Sequence, residues 1–121
     1  MGGLQATRGA ACIALILLVL AAGACTDSGA EKVKVVSTNT ECTPEKTSFA
    51  AGSVTFELVN EGSKVTELYV YGPGDKVISE VENVGPGTSR TLEVKLAKGD
   101  YELACKPGQT GKGIRQAIDV S

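Results

Sequence analysis

The chain has 121 residues, a length that accommodates one domain of ordinary size. Twelve basic and fourteen acidic residues give a formal net charge of −2, and the sequence contains neither tryptophan nor histidine. This balance, together with the scarcity of aromatic residues, argues against nucleic-acid binding. Without histidine as a general base, and without a recognisable nucleophile motif, the sequence predicts that the protein is not an enzyme.

Residues 1–24 have the layout of a secretory signal peptide. One positive charge at Arg8 precedes an apolar run over residues 10–22, which is too short for a membrane span of about 20 residues. Small residues follow this run and lead directly to Cys25. The sequence therefore predicts export across the cytoplasmic membrane.

The end of the signal peptide has two interpretations. Ala22-Gly23-Ala24 matches an ordinary signal-peptidase site, whereas Ala24 followed by Cys25 resembles a bacterial lipobox. We predict that Cys25 is lipidated, that residues 25–31 form a flexible tether, and that residues 32–121 form the folded domain. The protein would then be anchored by lipid to the outer face of the cytoplasmic membrane; secretion without lipid is the alternative.

The rest of the chain alternates between apolar and polar residues with the period of half-buried β-strands. The first strand opens at Val33, and Gly- or Pro-containing turns separate the strands that follow. The later predicted strands are 53–60, 66–71, 76–84, 90–96, a strand ending at Cys105, and 114–120. Seven or eight short strands at this spacing predict an all-β, Greek-key β-sandwich.

Within these strands, alternation predicts which side chains face the core. One face should carry Val54, Phe56 and Leu58 in one strand, Leu92, Val94 and Leu96 in another, and Tyr101, Leu103 and Cys105 in a third. In the strand 76–84, Val77 and Val81 should lie on the face opposite Glu80 and Glu82.

The strand ending at Cys105 delivers a cysteine to a Pro- and Gly-rich loop, and a short final strand follows. Small copper proteins build their metal loop with this layout. A blue-copper centre needs two imidazoles and a thiolate. Histidine is absent and Met1 is the only methionine, so the sequence predicts such a frame without a blue-copper centre.

Cys42 and Cys105 remain as the two cysteines of the folded domain, because Cys12 leaves with the signal and Cys25 is assigned to lipid. In an oxidising compartment they are candidates for a disulfide that closes a loop of about 60 residues. The alternative is that one or both act as thiolate metal ligands under reducing conditions.

Glu67, Glu80 and Glu82 are the candidate oxygen ligands. Glu67 begins a strand just after a loop, and Glu80 and Glu82 lie two residues apart, so they point the same way. Carboxylates suit hard cations such as manganese, calcium or iron. The alternative is that these side chains simply face solvent on exposed strands.

Several segments together resemble a known family. They are Cys42-Thr43-Pro44, Asn60-Glu61-Gly62, Glu67, the run from Glu80 to Ser89, and Gly99-Asp100-Tyr101 leading to Cys105. In these segments the chain is similar to the cupredoxin-like domain of the EfeO-type iron-uptake lipoproteins, over 32–121. The resemblance implies a cupredoxin-like fold without blue copper, with Cys42, Cys105 and Glu67 as candidate ligand or disulfide positions.

Two functions follow as hypotheses. The first is an accessory protein for metal uptake that binds an iron or copper ion through Glu67, Cys105, Cys42, Glu80 and Glu82, and that works with an iron-transport permease or a peptidase-like companion subunit. The second is a structural or protein-interaction module of the cell envelope, held by a disulfide and without bound metal.

Overall fold

The structure, a computed structural model, describes residues 30–121. The predicted signal peptide (residues 1–24) and the predicted lipidation residue Cys25 lie outside the described residues, as does the predicted tether except for Ala30 and Glu31. Nothing in the described part of the chain is a helix of the length and apolarity needed to cross a membrane.

The described residues form nine β-strands and two single turns of 3₁₀ helix. The strands are β1 (Glu31–Ser37), β2 (Cys42–Pro44), β3 (Ser48–Phe49), β4 (Gly52–Asn60), β5 (Thr66–Gly72), β6 (Lys76–Val84), β7 (Ser89–Leu96), β8 (Gly99–Cys105) and β9 (Ile114–Val120). The 3₁₀ turns are Pro73–Asp75 and Pro107–Gln109. The strands β2 and β3 go beyond the sequence prediction, because three and two residues are too few to show alternation.

The strands make two sheets. The first has four strands in the order β2-β1-β4-β7, and the second has five in the order β3-β9-β8-β5-β6. The pairs β1–β4 and β3–β9 are parallel, and the other pairs are antiparallel. The predicted all-β sandwich is confirmed.

The core lies between the sheets and consists of the apolar residues that alternation selects. Phe56 and Leu58 of β4 are fully buried, as are Leu68 of β5 and Leu103 of β8. In β7, Leu92, Val94 and Leu96 face inward, as predicted. Since a strand turns alternate residues to opposite sides, the second face of each sheet is left available for polar chemistry.

The prediction for Val77 is wrong. Val77 is paired with Tyr71, whereas Val81 is paired with Leu68, and the register of β5 against β6 shifts between the two pairs. The extra residue of this β-bulge moves Val77 to the face opposite Val81. Val77 is consequently 47% exposed, while Val81 is buried.

A disulfide between Cys42 and Cys105 ties the two sheets together. Cys42 opens β2, at the edge of the first sheet, and Cys105 ends β8, in the interior of the second. Their sulfurs are bonded at 2.02 Å, and both residues are buried among the core side chains. The bond closes a loop with a sequence separation of 63 residues. We call this end of the sandwich the disulfide pole.

A variant with Cys42→Ala and Cys105→Ala should lose about 4 kcal/mol of free energy of unfolding, because a loop of this length strongly restricts the unfolded chain. Urea unfolding in oxidising buffer measures the difference. Reductant should bring the parent protein close to the variant and leave the variant unchanged. A variant as stable as the oxidised parent would contradict a structural role for the bond.

Candidate functional site

The interior of the disulfide pole contains buried polar side chains. The hydroxyls of Ser37 and Thr66 lie 3.1 Å apart, and the Asn60 Nδ2 donates to the carbonyl oxygens of Lys64 at 2.7 Å and Val84 at 2.8 Å. Across residues 30–121, every buried side-chain nitrogen or oxygen has a hydrogen-bond partner. These polar groups therefore stabilise the loops of the pole rather than offering unused donors to a ligand.

The sequence-predicted ligands divide between two faces of the second sheet. Cys105 is paired with Leu68 of β5 and faces the core with it. Glu67, the residue before Leu68, points away from the core. The structure brings Cys42 and Cys105 together, and it brings Glu67 near Glu80 and Glu82, but it separates the two sulfurs from the three carboxylates.

Two tyrosines dominate the outer face next to Glu67. Tyr69 and Tyr71 follow Glu67 at two-residue intervals on β5, so all three side chains leave the same side of the strand. The two rings are stacked, with centroids 5.5 Å apart and an interplanar angle of 14°. Ala104 is paired with Tyr69 across the strands, and its small side chain leaves room above the sheet.

Two cations lie on these rings. The Lys106 Nζ is 3.7 Å from the centroid of Tyr69 and 5.4 Å from that of Tyr71, and the Arg115 guanidinium carbon is 4.1 Å from the centroid of Tyr71. These distances are those of cation–π contacts. We call Glu67, Tyr69, Tyr71, Lys106 and Arg115, with Glu80 and Glu82 at the edge, the outer-face cluster.

Arg115 is held by several partners. Its Nη1 donates to the Asp75 carboxylate at 3.1 Å and lies 3.9 Å from that of Glu102, while its Nε donates to the Lys112 carbonyl oxygen at 2.7 Å. Among the ion pairs formed by residues 30–121, none includes Lys106. Arg115 is thus fixed in the cluster, whereas the Lys106 ammonium rests on the aromatic rings.

Glu67 is the buried acid of the cluster, with only 8% of its surface exposed. Burial raises the pKa of Glu67 above its ordinary value of 4.5, because it disfavours the charged form. The negative charges of Glu82 and Glu80 raise this pKa further. The Lys106 ammonium and the neighbouring phenol of Tyr69 act in the opposite direction.

Glu80 and Glu82 surround the phenol of Tyr69. Both are exposed, which fits the solvent-facing alternative for these two side chains. The Tyr69 hydroxyl donates to Glu82 Oε1 at 3.2 Å. The pKa of the Tyr69 phenol is raised, first by its interaction with the Glu80 carboxylate, then by burial and by the charge of Glu67. The result is a patch of three carboxylates and a phenol, all of them oxygen donors.

Within the described residues, no three Cys, Asp or Glu side chains are gathered closely enough to hold a metal ion in this conformation. Tyr69, Tyr71, Lys106 and Arg115 were not expected as members of the site. The spacing of Tyr69 and Tyr71 indicates a shared face, but only the pairing of β5 with β8 and β9 brings the two cations onto it.

Comparison with known proteins places the fold in a family. Residues 10–114 match the family model of the cupredoxin-like domain. The iron uptake system component EfeO of Escherichia coli (strain K12) is 32% identical over 74 residues, as is that of Shigella flexneri. The match covers 61% of this chain and 20% of each relative, so the chain spans about a fifth of their length.

Solved structures with a similar fold include two auracyanins. That of Roseiflexus castenholzii has a TM-score of 0.59 at 18% identity, covering 77% of this chain and 99% of its own. Auracyanin A of Chloroflexus aurantiacus, a "blue" copper protein, has a TM-score of 0.56 at 16% identity, covering 77% and 100%. At these identities the likeness describes the fold alone.

The residues of this chain do not fit a blue-copper centre. That centre needs two imidazoles and a thiolate. The chain has no histidine, and the sulfur of Cys105 is bonded to that of Cys42. Any metal bound to the oxidised domain must be held by other donors, and oxygen atoms are what the outer-face cluster provides.

The raised pKa of Glu67 predicts a pH dependence of stability. The folded protein holds this proton to a higher pH than the unfolded chain, so ionisation of Glu67 reduces the free energy of unfolding. Relative to a Glu67→Gln variant, the parent should become less stable as pH rises above 4.5 and through the folded-state pKa.

Urea unfolding of both proteins across this pH window measures the effect. Glu93→Gln, at an exposed position of β7, is the matched control and should follow the parent. If the stability of the parent relative to the Glu67→Gln variant is constant with pH, or increases as pH rises, the burial argument for Glu67 is wrong.

Proposed function

This chain belongs to the cupredoxin-like domain family, and from that premise we propose that it is a non-enzymatic, extracytoplasmic accessory protein of metal uptake. Its similarity to EfeO of Escherichia coli, which is named an iron uptake system component, supports this role. A disulfide buried in the core fits an oxidising compartment outside the cytoplasm. Anchoring by lipid at Cys25, with a permease or peptidase-like companion as partner, belongs to the same proposal.

The metal contact that we propose is Glu67, assisted by Glu80 and Glu82. The observation that carries it is a glutamate residue with 8% of its surface exposed, whose carboxylate lies beside two further carboxylates. Carboxylates so close to one another repel, and burial of Glu67 makes its charge more costly still. A divalent or trivalent cation would relieve both effects at once, because it neutralises the charges without a proton.

The chemistry of the donors favours iron over copper as the metal. Hard cations such as the ferric ion prefer oxygen ligands, whereas copper favours imidazole and, as Cu(I), sulfur ligands. Cys42 and Cys105 enter the proposal as a structural disulfide, since bonded sulfurs are not thiolates. Because the three carboxylates are not yet gathered as a metal cage, Glu80 and Glu82 must turn towards Glu67 when the ion binds. Both are exposed, and Glu82 would give up its hydrogen bond from the Tyr69 hydroxyl to do so.

A second candidate function, an interaction module of the cell envelope without metal, is favoured by two observations. Within residues 30–121, the buried side-chain polar groups are satisfied and the acidic groups do not form a preformed metal site. In that case the disulfide-linked sandwich would present its outer face to another protein. A metal titration decides between the two functions.

We expect the purified chain to bind iron and a Glu67→Gln variant to bind it at least about tenfold more weakly, since one charged ligand is lost. Titration with ferrous ion under anaerobic conditions and with ferric citrate in air, followed by measurement of protein-bound iron, gives both affinities. Glu93→Gln removes the same charge from the other sheet and should bind like the parent. Equal binding by the Glu67→Gln and Glu93→Gln variants would contradict the proposed site.

A further inference from the structure

The Lys106 side chain lies where a bound cation would be expected. Its ammonium rests on the face of Tyr69 at 3.7 Å and reaches the ring of Tyr71 at 5.4 Å. The Lys106 charge also acts on Glu67, whose pKa it lowers. The chain itself thus supplies a positive charge that lies over two stacked rings and acts on a buried glutamate.

The local backbone directs Lys106 onto this face. Its amide donates to the Glu67 carbonyl oxygen at 3.0 Å, which fixes the start of the loop beside β5. A Cβ atom at Gly113 would lie 2.9 Å from the Lys106 Cγ, and Gly113 has a φ of 78°. Glycine at this position therefore leaves room for the lysine stem to fold back across the sheet.

A lysine side chain is suited to reversible occupation of such a site. It carries a compact charge on a flexible stem, whereas the planar guanidinium of Arg115 is fixed by three partners. The described ion pairs include neither Lys106 nor Glu67, so no direct pair has to be broken when the ammonium leaves. The stem is half-buried at the surface and can turn into solvent.

We infer that Lys106 is a displaceable internal cation, which lies over the rings of Tyr69 and Tyr71 on the face that carries Glu67 and leaves when a divalent or trivalent cation binds to that face. This inference rests on the proposed metal contact at Glu67 and names the residue that sets its specificity. A tethered ammonium competes at a high effective concentration. Monovalent ions therefore do not replace it, whereas ions of higher charge gain enough from the carboxylates to do so.

Terbium(III), a hard cation whose emission is sensitised by nearby tyrosine, is a suitable probe because the chain has three tyrosines and no tryptophan. Lys106→Gln should bind terbium about tenfold more tightly than the parent, the change that about 1.4 kcal/mol of lost repulsion produces. Lys112→Gln, an exposed lysine of the same loop, makes the same change in net charge and should leave the affinity unaltered.

The third tyrosine needs a control. Tyr101 lines an acidic cleft of about 920 Å³ with Asp100 and Asp119, which could also attract terbium. This cleft adjoins the outer-face cluster, because Asp75 and Glu102, the carboxylate partners of Arg115, line it too. The measurements are therefore made in a Tyr101→Phe background, where sensitised emission reports on Tyr69 and Tyr71 alone. If Lys106→Gln binds terbium no more tightly than Lys112→Gln, the inference is overturned.

A second measurement uses the Tyr101→Phe protein with Lys106 in place, so it does not depend on the folding of a Lys106 variant. The side-chain protons of Lys106 should show ring-current shifts in the NMR spectrum, because they lie over Tyr69. Saturation with diamagnetic lanthanum(III) should remove these shifts. Retention of the shifts at saturation would show that the ammonium stays in place and would reject the inference.

The two proposals fail in different ways. Equal iron binding by the Glu67→Gln and Glu93→Gln variants rejects the proposed iron contact, whatever the lysine variants do. Equal terbium binding by the Lys106→Gln and Lys112→Gln variants rejects displacement of Lys106, even where Glu67 is required for iron.

Discussion

The covalent bond between Cys42 and Cys105 decides where chemistry can take place in this domain. It joins the edge of one sheet to the interior of the other and takes both sulfurs into the core. A blue-copper centre needs a cysteine thiolate as a metal ligand. Here Cys105 instead closes the sandwich, the buried hydroxyls of Ser37 and Thr66 pair with each other, and the Asn60 amide donates to backbone carbonyl oxygens. Ligand chemistry is left to the other side of β5, where Glu67 and Tyr69 leave the strand.

The outer-face cluster balances charges that would otherwise be costly. Glu67 is buried beside other carboxylates, and the ammonium of Lys106 and the guanidinium of Arg115 lie over the neighbouring rings. Arg115 is held by fixed partners and Lys106 is not, so only one of the two cations can be exchanged without disrupting the surface. In the proposed displacement, the site is neutralised from within when it is empty and still favours an ion of higher charge. This combination suits the proposed role in metal uptake.

Much of the fold follows from the sequence because alternation is a local signal. The pattern of Leu92, Val94 and Leu96 determines the inward face of β7, and the final strand begins and ends at the predicted residues. The direction of Val77 could not be predicted in this way, because a β-bulge that depends on the pairing of β5 with β6 reverses it.

Less of the candidate site than of the fold could be predicted from the sequence. Alternation shows that Glu67 and Tyr69 share a face, but the positions of Lys106 and Arg115 follow from the pairing of strands distant in sequence. The separation of Glu67 from the sulfurs could likewise be recognised only from the strand pairing. Leu68 is paired with Cys105 and faces the core with it, so the preceding residue, Glu67, faces the other way.

We assign a structural role to the sulfur atoms of Cys42 and Cys105 and propose that carboxylate oxygen atoms bind the cation. X-ray absorption at the iron edge of the metal-loaded protein, prepared without reductant, tests that division most directly because it identifies the atoms bonded to the metal. We expect a first shell made of oxygen scatterers only, which is altered in the Glu67→Gln variant and unaffected by replacement of both Cys42 and Cys105 with alanine. A sulfur scatterer in the first shell of the oxidised protein would contradict the account.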